Sequence, residues 1–166
     1  SIESGILAAV VGGIAVMVVM PLYYGMAGLL ADVMLVFTIT MLMAGLAAFG
    51  ATLTLPGIAG IVLTIGMAVD ANVLLFERIR EEIRQGLKPL EAVAVGFDRA
   101  TVSIVDSNLT TIIAAAFLYQ FGTGPVRGFA VTLSLGIVAS MFTAIFLSRT
   151  AFGLWLGGND GKKLSI

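Results

Sequence analysis

Apolar residues fill this chain in five blocks, at about residues 5–23, 29–49, 58–76, 101–119 and 129–147. A helix rises about 1.5 Å per residue, so each block is long enough to cross a hydrocarbon core of about 30 Å. Turn formers separate the blocks. Pro21 and the Tyr23–Tyr24 pair close the first, and the tyrosines suit an interfacial anchor. Gly25 to Gly28 makes a turn, and Gly50 to Gly57, with Pro56, makes a short loop. The run FGTGPVRG, Phe121 to Gly128, is too rich in Gly and Pro to be helix throughout. The fifth block can continue toward Trp155. The pattern predicts an all-α integral membrane domain over residues 1–157 and a polar tail over 158–166.

One long polar stretch, 77–99, interrupts the pattern. Glu77 to Gln85 is predicted to continue the third helix beyond the bilayer. Glu77 with Arg80, Arg78 with Glu82, and Glu81 with Arg84 are spaced to pair along it. Gly86 fits the helix stop, and Pro89 fits the first turn of a second helix, Pro89–Asp98. Its Leu90, Val93, Ala94 and Phe97 share a face, so this short amphipathic helix is expected on the membrane surface. The competing reading is a plain solvated connector.

Composition sharpens this picture. The chain has 166 residues, 59% hydrophobic and only 11% charged, with mean hydropathy +1.08. A soluble domain has about 25% charged residues. The net charge of −1 says little about partners, because no Lys or Arg occurs from Ser4 to Phe76. No Cys fixes a redox compartment. With no His and no Cys, no nucleophile and base can be assembled, and no metal cluster is visible. The sequence therefore predicts no enzyme, no catalytic residue, no cofactor and no nucleic-acid partner. It starts at Ser1 without Met or signal peptide, and reads as a piece of a longer chain. Arg78, Arg80, Arg84, Lys88 and Arg99 lie in one loop, and Arg149, Lys162 and Lys163 lie on the same side of a five-span chain. Arg127 alone lies on the other. Positive residues stay inside, so the loop and the C-terminus are expected in the cytoplasm and Ser1 outside.

Three acids fall in or near spans. Asp32 lies near the cytoplasmic edge of the second block, where an interfacial carboxyl reaches water. Asp70 lies just past the middle of the third block, and Asp106 before the middle of the fourth. Antiparallel neighbours would hold these two at similar depth, in the similar tetrapeptides Asp70-Ala71-Asn72-Val73 and Asp106-Ser107-Asn108-Leu109. Ser103, Asp106 and Thr110 line one helix face, with Ser107 and Thr111 beside them. A polar stripe of this kind should face helices or water, since a charged group in lipid is costly. No base shares the depth of either acid. A buried carboxyl has a raised pKa, which suits a proton relay. The candidate relay is Asp70 and Asp106, supported by Asn72, Ser103, Asn108 and Thr110. The alternative is a neutral acid hydrogen-bonded as helix glue. Gly12, Gly13, Gly45, Gly60, Gly66, Ala114, Ala115 and Gly136 are a helix-packing signal.

The runs GMAVDANVLLFERIREEIRQG (Gly66 to Gly86), DSNLTTIIAA (from Asp106) and FGTGPVRGFAVTLSLGIVASMFTAI (from Phe121) occur in order, within a resemblance that covers nearly the whole chain. They closely resemble the SecD/SecF family of bacterial protein-export membrane proteins, within the RND permease superfamily. The resemblance implies the last five helices of a six-helix bundle in the bacterial cytoplasmic (inner) membrane. It implies SecF, the SecYEG channel and YajC as partners, and an exported preprotein gripped by external domains that this piece lacks. It also implies that proton flow drives late translocation, with Asp70 at the family's functional acid and the missing base supplied by SecF. An RND-type small-molecule or lipid exporter and a passive scaffold are the rival readings. An exporter needs a mixed aromatic and polar pocket near mid-membrane, where the spans offer few aromatics, Phe37 and Phe117 among them.

Overall fold

A computed structural model describes residues 2–50 and 54–156. The chain folds into helices α1 (Ile2–Tyr24), α2 (Met26–Ala48), α3 (Leu55–Arg84), α4 (Pro89–Phe121) and α5 (Pro125–Phe142). A π turn, Thr143–Leu147, carries α5 into α6 (Ser148–Leu156). Five helical segments are long and apolar enough to cross a membrane, α5 to α6 counting as one. The predicted tail, 158–166, lies outside the described residues.

The helix boundaries follow local chemistry. Thr54 caps α3, its side chain accepting from the Gly57 amide at 3.2 Å, and Pro56 opens the first turn. Gly86 ends the following turn at φ 95°, a region where a side chain is strained. Pro89 and Pro125 start α4 and α5. Successive helices run antiparallel. The turns after α1 and α3 and the end of α6 therefore gather at one end, which holds most of the charge. The start of α1 and the turn after α4 lie at the other.

Helix α3 is the centre of the bundle, packed against α1, α2, α4 and α5. Its most extensive interface is with α5. The close approach depends on Gly136, where an added Cβ would lie 2.0 Å from the Thr64 hydroxyl. At the charged end an aromatic cluster joins four segments: Tyr24 to Phe76 at 5.1 Å, Phe76 to Phe152 at 6.0 Å and Phe97 to Phe152 at 5.7 Å between ring centroids. The widened π turn precedes α6, which delivers Phe152 to this cluster.

The stretch Pro89–Asp98 differs from the surface helix expected. It is the first third of one unbroken α4. Val93 and Phe97 are 5% and 2% exposed, packed with Ile79 and Phe152 instead of lying on lipid. Gly96 lies directly against Ile79. The apolar face had a protein partner within the chain, and no Gly or Pro stands between Asp98 and Thr101 to break the helix. Leu90 alone of the predicted face remains largely exposed among its large residues. The ends of α3 and α4 thus form a two-helix stem.

The stem's ion pairs also depart from simple spacing. Arg80 meets Glu77 at 3.3 Å as spaced, and Arg78 meets Glu81 at 3.3 Å. Glu82, with a side chain only 3% exposed, reaches across the stem to Arg99 at 2.6 Å. Arg149 ties α6 to Asp98 at 3.2 Å. Arg99→Ala strands the buried Glu82 carboxylate. Arg99 is half exposed, so water relieves part of that cost, and about 1–3 kcal/mol of lost stability is expected. The paired change Glu82→Leu with Arg99→Met should recover most of it. Thermal unfolding of the full-length protein in detergent checks both; an unchanged midpoint in Arg99→Ala would show that the pair contributes nothing.

Candidate functional site: a polar cleft between two spans

Helix α3 contributes Met67, Asp70, Ala71 and Leu74 to one cleft, and α4 contributes Ile104, Ser107, Asn108 and Thr111. Both sets follow the spacing i, i+3, i+4, i+7, one stripe on each helix. Because the helices run antiparallel, Asp70 and Ala71 lie level with Ser107 and Asn108. The cleft holds about 140 Å³, room for several waters against the carboxyl. Asp70 itself is exposed, on the open side of the pair.

Depth is set by the stem. Asp70 lies seven residues from Glu77 and Asp106 seven from Arg99, so both are about 10 Å from the charged end. The cleft's hydroxyls are already used as donors. Ser107 donates to the Ile104 carbonyl at 3.2 Å and Thr111 to the Ser107 carbonyl at 3.1 Å. Their oxygens remain as acceptors, which favours a proton or a water O–H beside Asp70 over an anion. Asn108, 9% exposed, supplies the one amide of the cleft. No ion pair reaches Asp70 among the described residues.

The six sequence-predicted residues divide into three groups. Asp70 and Asn108 share the cleft. Asn72 is buried at 5% but two positions from Asp70, on the far side of α3. Asp106, Ser103 and Thr110 form a separate stripe on the outer face of α4, with Asp106 and Thr110 exposed and Ser103 half-buried. Thr110 donates to the backbone carbonyl of Asp106 at 3.1 Å, not to its carboxyl. Sequence reasoning placed Ser107 and Thr111 beside the polar stripe and left out Met67, Ala71, Leu74 and Ile104. Helical spacing from Asp70 was the signal that could have found the α3 members.

Asp32 also departs from a plain interfacial acid. It is half-buried, and its Oδ1 is enclosed without a hydrogen bond among the described residues. The Ser148 hydroxyl is in the same condition.

Residues 2–157 match the family model for the C-terminal part of the SecD/SecF protein export membrane proteins. The chain is 59% identical over its full length to a protein translocase subunit SecD of Syntrophobacter fumaroxidans, covering 31% of that protein. It is 50% identical to the SecD subunit of Rickettsia prowazekii, again along its whole length and over 32% of the relative. It therefore spans about a third of the length of these relatives. A crystal structure of SecDF from Thermus thermophilus, described as a translocon-associated membrane protein, superposes with TM-score 0.91 at 46% identity. That match covers 96% of this chain and 22% of the other. The chain belongs to the SecD/SecF family of protein-export membrane proteins, within the C-terminal membrane part that these relatives share.

Proposed function

We propose that this chain is the membrane part of a protein-export subunit in which Asp70 binds and releases a proton, so that the proton gradient drives late translocation. One observation carries the reading: a carboxyl about 10 Å inside the span lines a water-sized polar cleft that opens on an uncovered helix face. The family resemblance supports it. SecF is the partner that this reading sets against the open α3–α4 face, and a basic side chain there would complete the site. SecYEG and YajC complete the proposed assembly, and the exported chain is handled by domains outside this piece. The activity is mechanical and non-enzymatic. Asp106 is assigned an auxiliary place, since it stands outside the cleft. Phe37 and Phe117 stand exposed, and the depression that Phe117 shares with Ala114, Leu118 and Phe121 is apolar, unlike the mixed aromatic and polar pocket a small-molecule exporter needs.

The decisive assay is export of a preprotein into inverted vesicles by the full-length subunit carrying Asp70→Asn, with and without a proton gradient. Loss of the gradient-dependent part is expected, and full stimulation would leave Asp70 as helix glue.

The same reading places the charged end in the cytoplasm of the bacterial cell. Six of the described Lys and Arg residues lie there against Arg127 at the other end. A cysteine at Thr123 should label from outside intact cells, and one at Gln85 only after permeabilisation. Labelling of Gln85 in intact cells would reverse the orientation.

A further inference from the structure

A second depression lies between α4 and α5 toward the end opposite the stem, its lining starting at Ile112, one residue beyond the Asp70 cleft. It holds about 400 Å³ and is lined by Ile112, Ala116 and Tyr119 from α4 and Ala130, Val131 and Ser134 from α5, among others. Its walls are almost wholly apolar. The α5 stripe continues upward, at the same helical spacing, to Arg127. Arg127 is held in place rather than free: its Nε donates to the carbonyls of Tyr119 at 3.1 Å and Gly122 at 3.0 Å. Its guanidinium carbon stands 5.5 Å from the Tyr119 ring centroid. No carboxylate pairs with it among the described residues.

We propose that this groove seats one acyl chain of a glycerophospholipid whose phosphodiester rests on Arg127. Three features favour a lipid over a covering helix. First, the groove is short. Arg127 to Ser134 spans seven residues, about 10 Å of axis, against the roughly 30 Å of a spanning helix. Leu109 and Val138 stand exposed next along the same two stripes, so the depression stops within one leaflet. Second, the guanidinium is placed at the mouth, two residues inside the start of α5, where the helix dipole adds positive potential. Third, its binding through Nε leaves the fork of terminal nitrogens as the natural phosphate donor. A helix laid over the groove would bring apolar side chains against that charge, whereas a phospholipid brings a matching anion. Tyr119 at the same mouth is the interfacial residue expected at headgroup level.

The experiment uses the full-length subunit in nanodiscs of phosphatidylethanolamine and phosphatidylglycerol, with a trace of phospholipid bearing a diazirine on one acyl chain. Cross-linked peptides and the phospholipid retained after detergent extraction are read by mass spectrometry. The native protein should cross-link within 112–135 and retain phospholipid. Arg127→Gln should reduce retention about tenfold, the loss of one charge-assisted phosphate contact. Arg127→Lys should keep most of it, because Lys still serves as a point charge for phosphate. Ala116→Leu with Ser134→Leu fills the groove and leaves Arg127 untouched. It should abolish cross-links in that segment with an unchanged melting temperature. Retention unaltered by both Arg127→Gln and the filled groove would overturn the proposal. A photoreactive residue at Ala116 that captures polypeptide instead of lipid would also overturn it, and would show that a protein helix covers the face.

Discussion

Asp70→Asn will leave the helices assembled and remove all of the gradient-dependent export. Asparagine keeps the shape of aspartate and most of its hydrogen bonding, but it cannot ionise. Asp70 is exposed at the open side of its cleft, with no ion pair among the described residues. The structural cost of the change should therefore stay within about 0.5 kcal/mol. Asp70→Glu should retain part of the activity, since the ionisable group is kept while its reach changes. Asn108→Leu should fall between, because it removes the amide of the cleft and narrows the space for water without touching the acid. Asp106→Asn should be mildest, as Asp106 stands on the outer face of α4. The amount of inserted complex must be matched before rates are compared. Full gradient stimulation in Asp70→Asn would remove the proton role. A complex that no longer assembles would point to a pair between Asp70 and a base on the partner chain, because breaking such a pair strands a charge.

Much of this was legible in the sequence, for a physical reason. A span must satisfy all its backbone groups internally, so each apolar block could only be a helix, and Gly and Pro marked where each stopped. Asp70 was conspicuous because it is the one charge in the nineteen-residue stretch Ile58 to Phe76. What sequence could not settle was which side of each helix faced protein. Asp70 and Asn72 are two residues apart and point to opposite sides, as do Asp106 and Asn108. The tetrapeptides look alike, yet α4 turns Asn108 to the cleft and α3 turns Asp70 to it. The same limit explains the stem. The face of Leu90, Val93 and Phe97 was read correctly as apolar, but Val93 and Phe97 are covered by α3 and α6, and Leu90 alone stays largely exposed. Glu82 had Arg78 at helical spacing, and only tertiary packing selected Arg99, seventeen residues away.

The cleft also depends on where the bundle holds α3. Thr64 lies six residues before Asp70, about 9 Å along the same helix, and it is fully buried against Gly136 of α5. Within α3 the Thr64 hydroxyl donates to the Gly60 carbonyl at 2.8 Å. Gly60 is a second point of close approach, since a Cβ added there would meet Thr132 of α5 at 3.0 Å. Small residues of this kind let spans approach closely where lipid offers no hydrophobic drive to hold them together.

Gly136→Ala is expected to destabilise the protein by about 1–3 kcal/mol, and Gly136→Leu to prevent assembly of a stable bundle. The new Cβ would sit 2.0 Å from Thr64 Oγ1 and 2.7 Å from its Cγ2. Thr64 cannot swing aside cheaply. It is β-branched, so its χ1 is restricted on a helix, and its hydroxyl is fixed to Gly60. The strain must then be relieved by separating α3 from α5, the largest interface of the fold, which also moves Asp70 relative to the α4 side of the cleft. The reciprocal variant Gly136→Ala with Thr64→Gly tests the cause. It removes both clashing γ atoms and the Thr64 Cβ that would lie 2.8 Å away. It should restore stability to within about 1 kcal/mol of the original, the helix cost of the new glycine. Melting temperatures in detergent give the four corners of the cycle, and gradient-dependent export gives the effect on the cleft. A coupling below about 0.5 kcal/mol would show that Thr64 is not what the new methyl meets. Recovery of both stability and export in the double variant would establish that the α3–α5 crossing sets the position of Asp70.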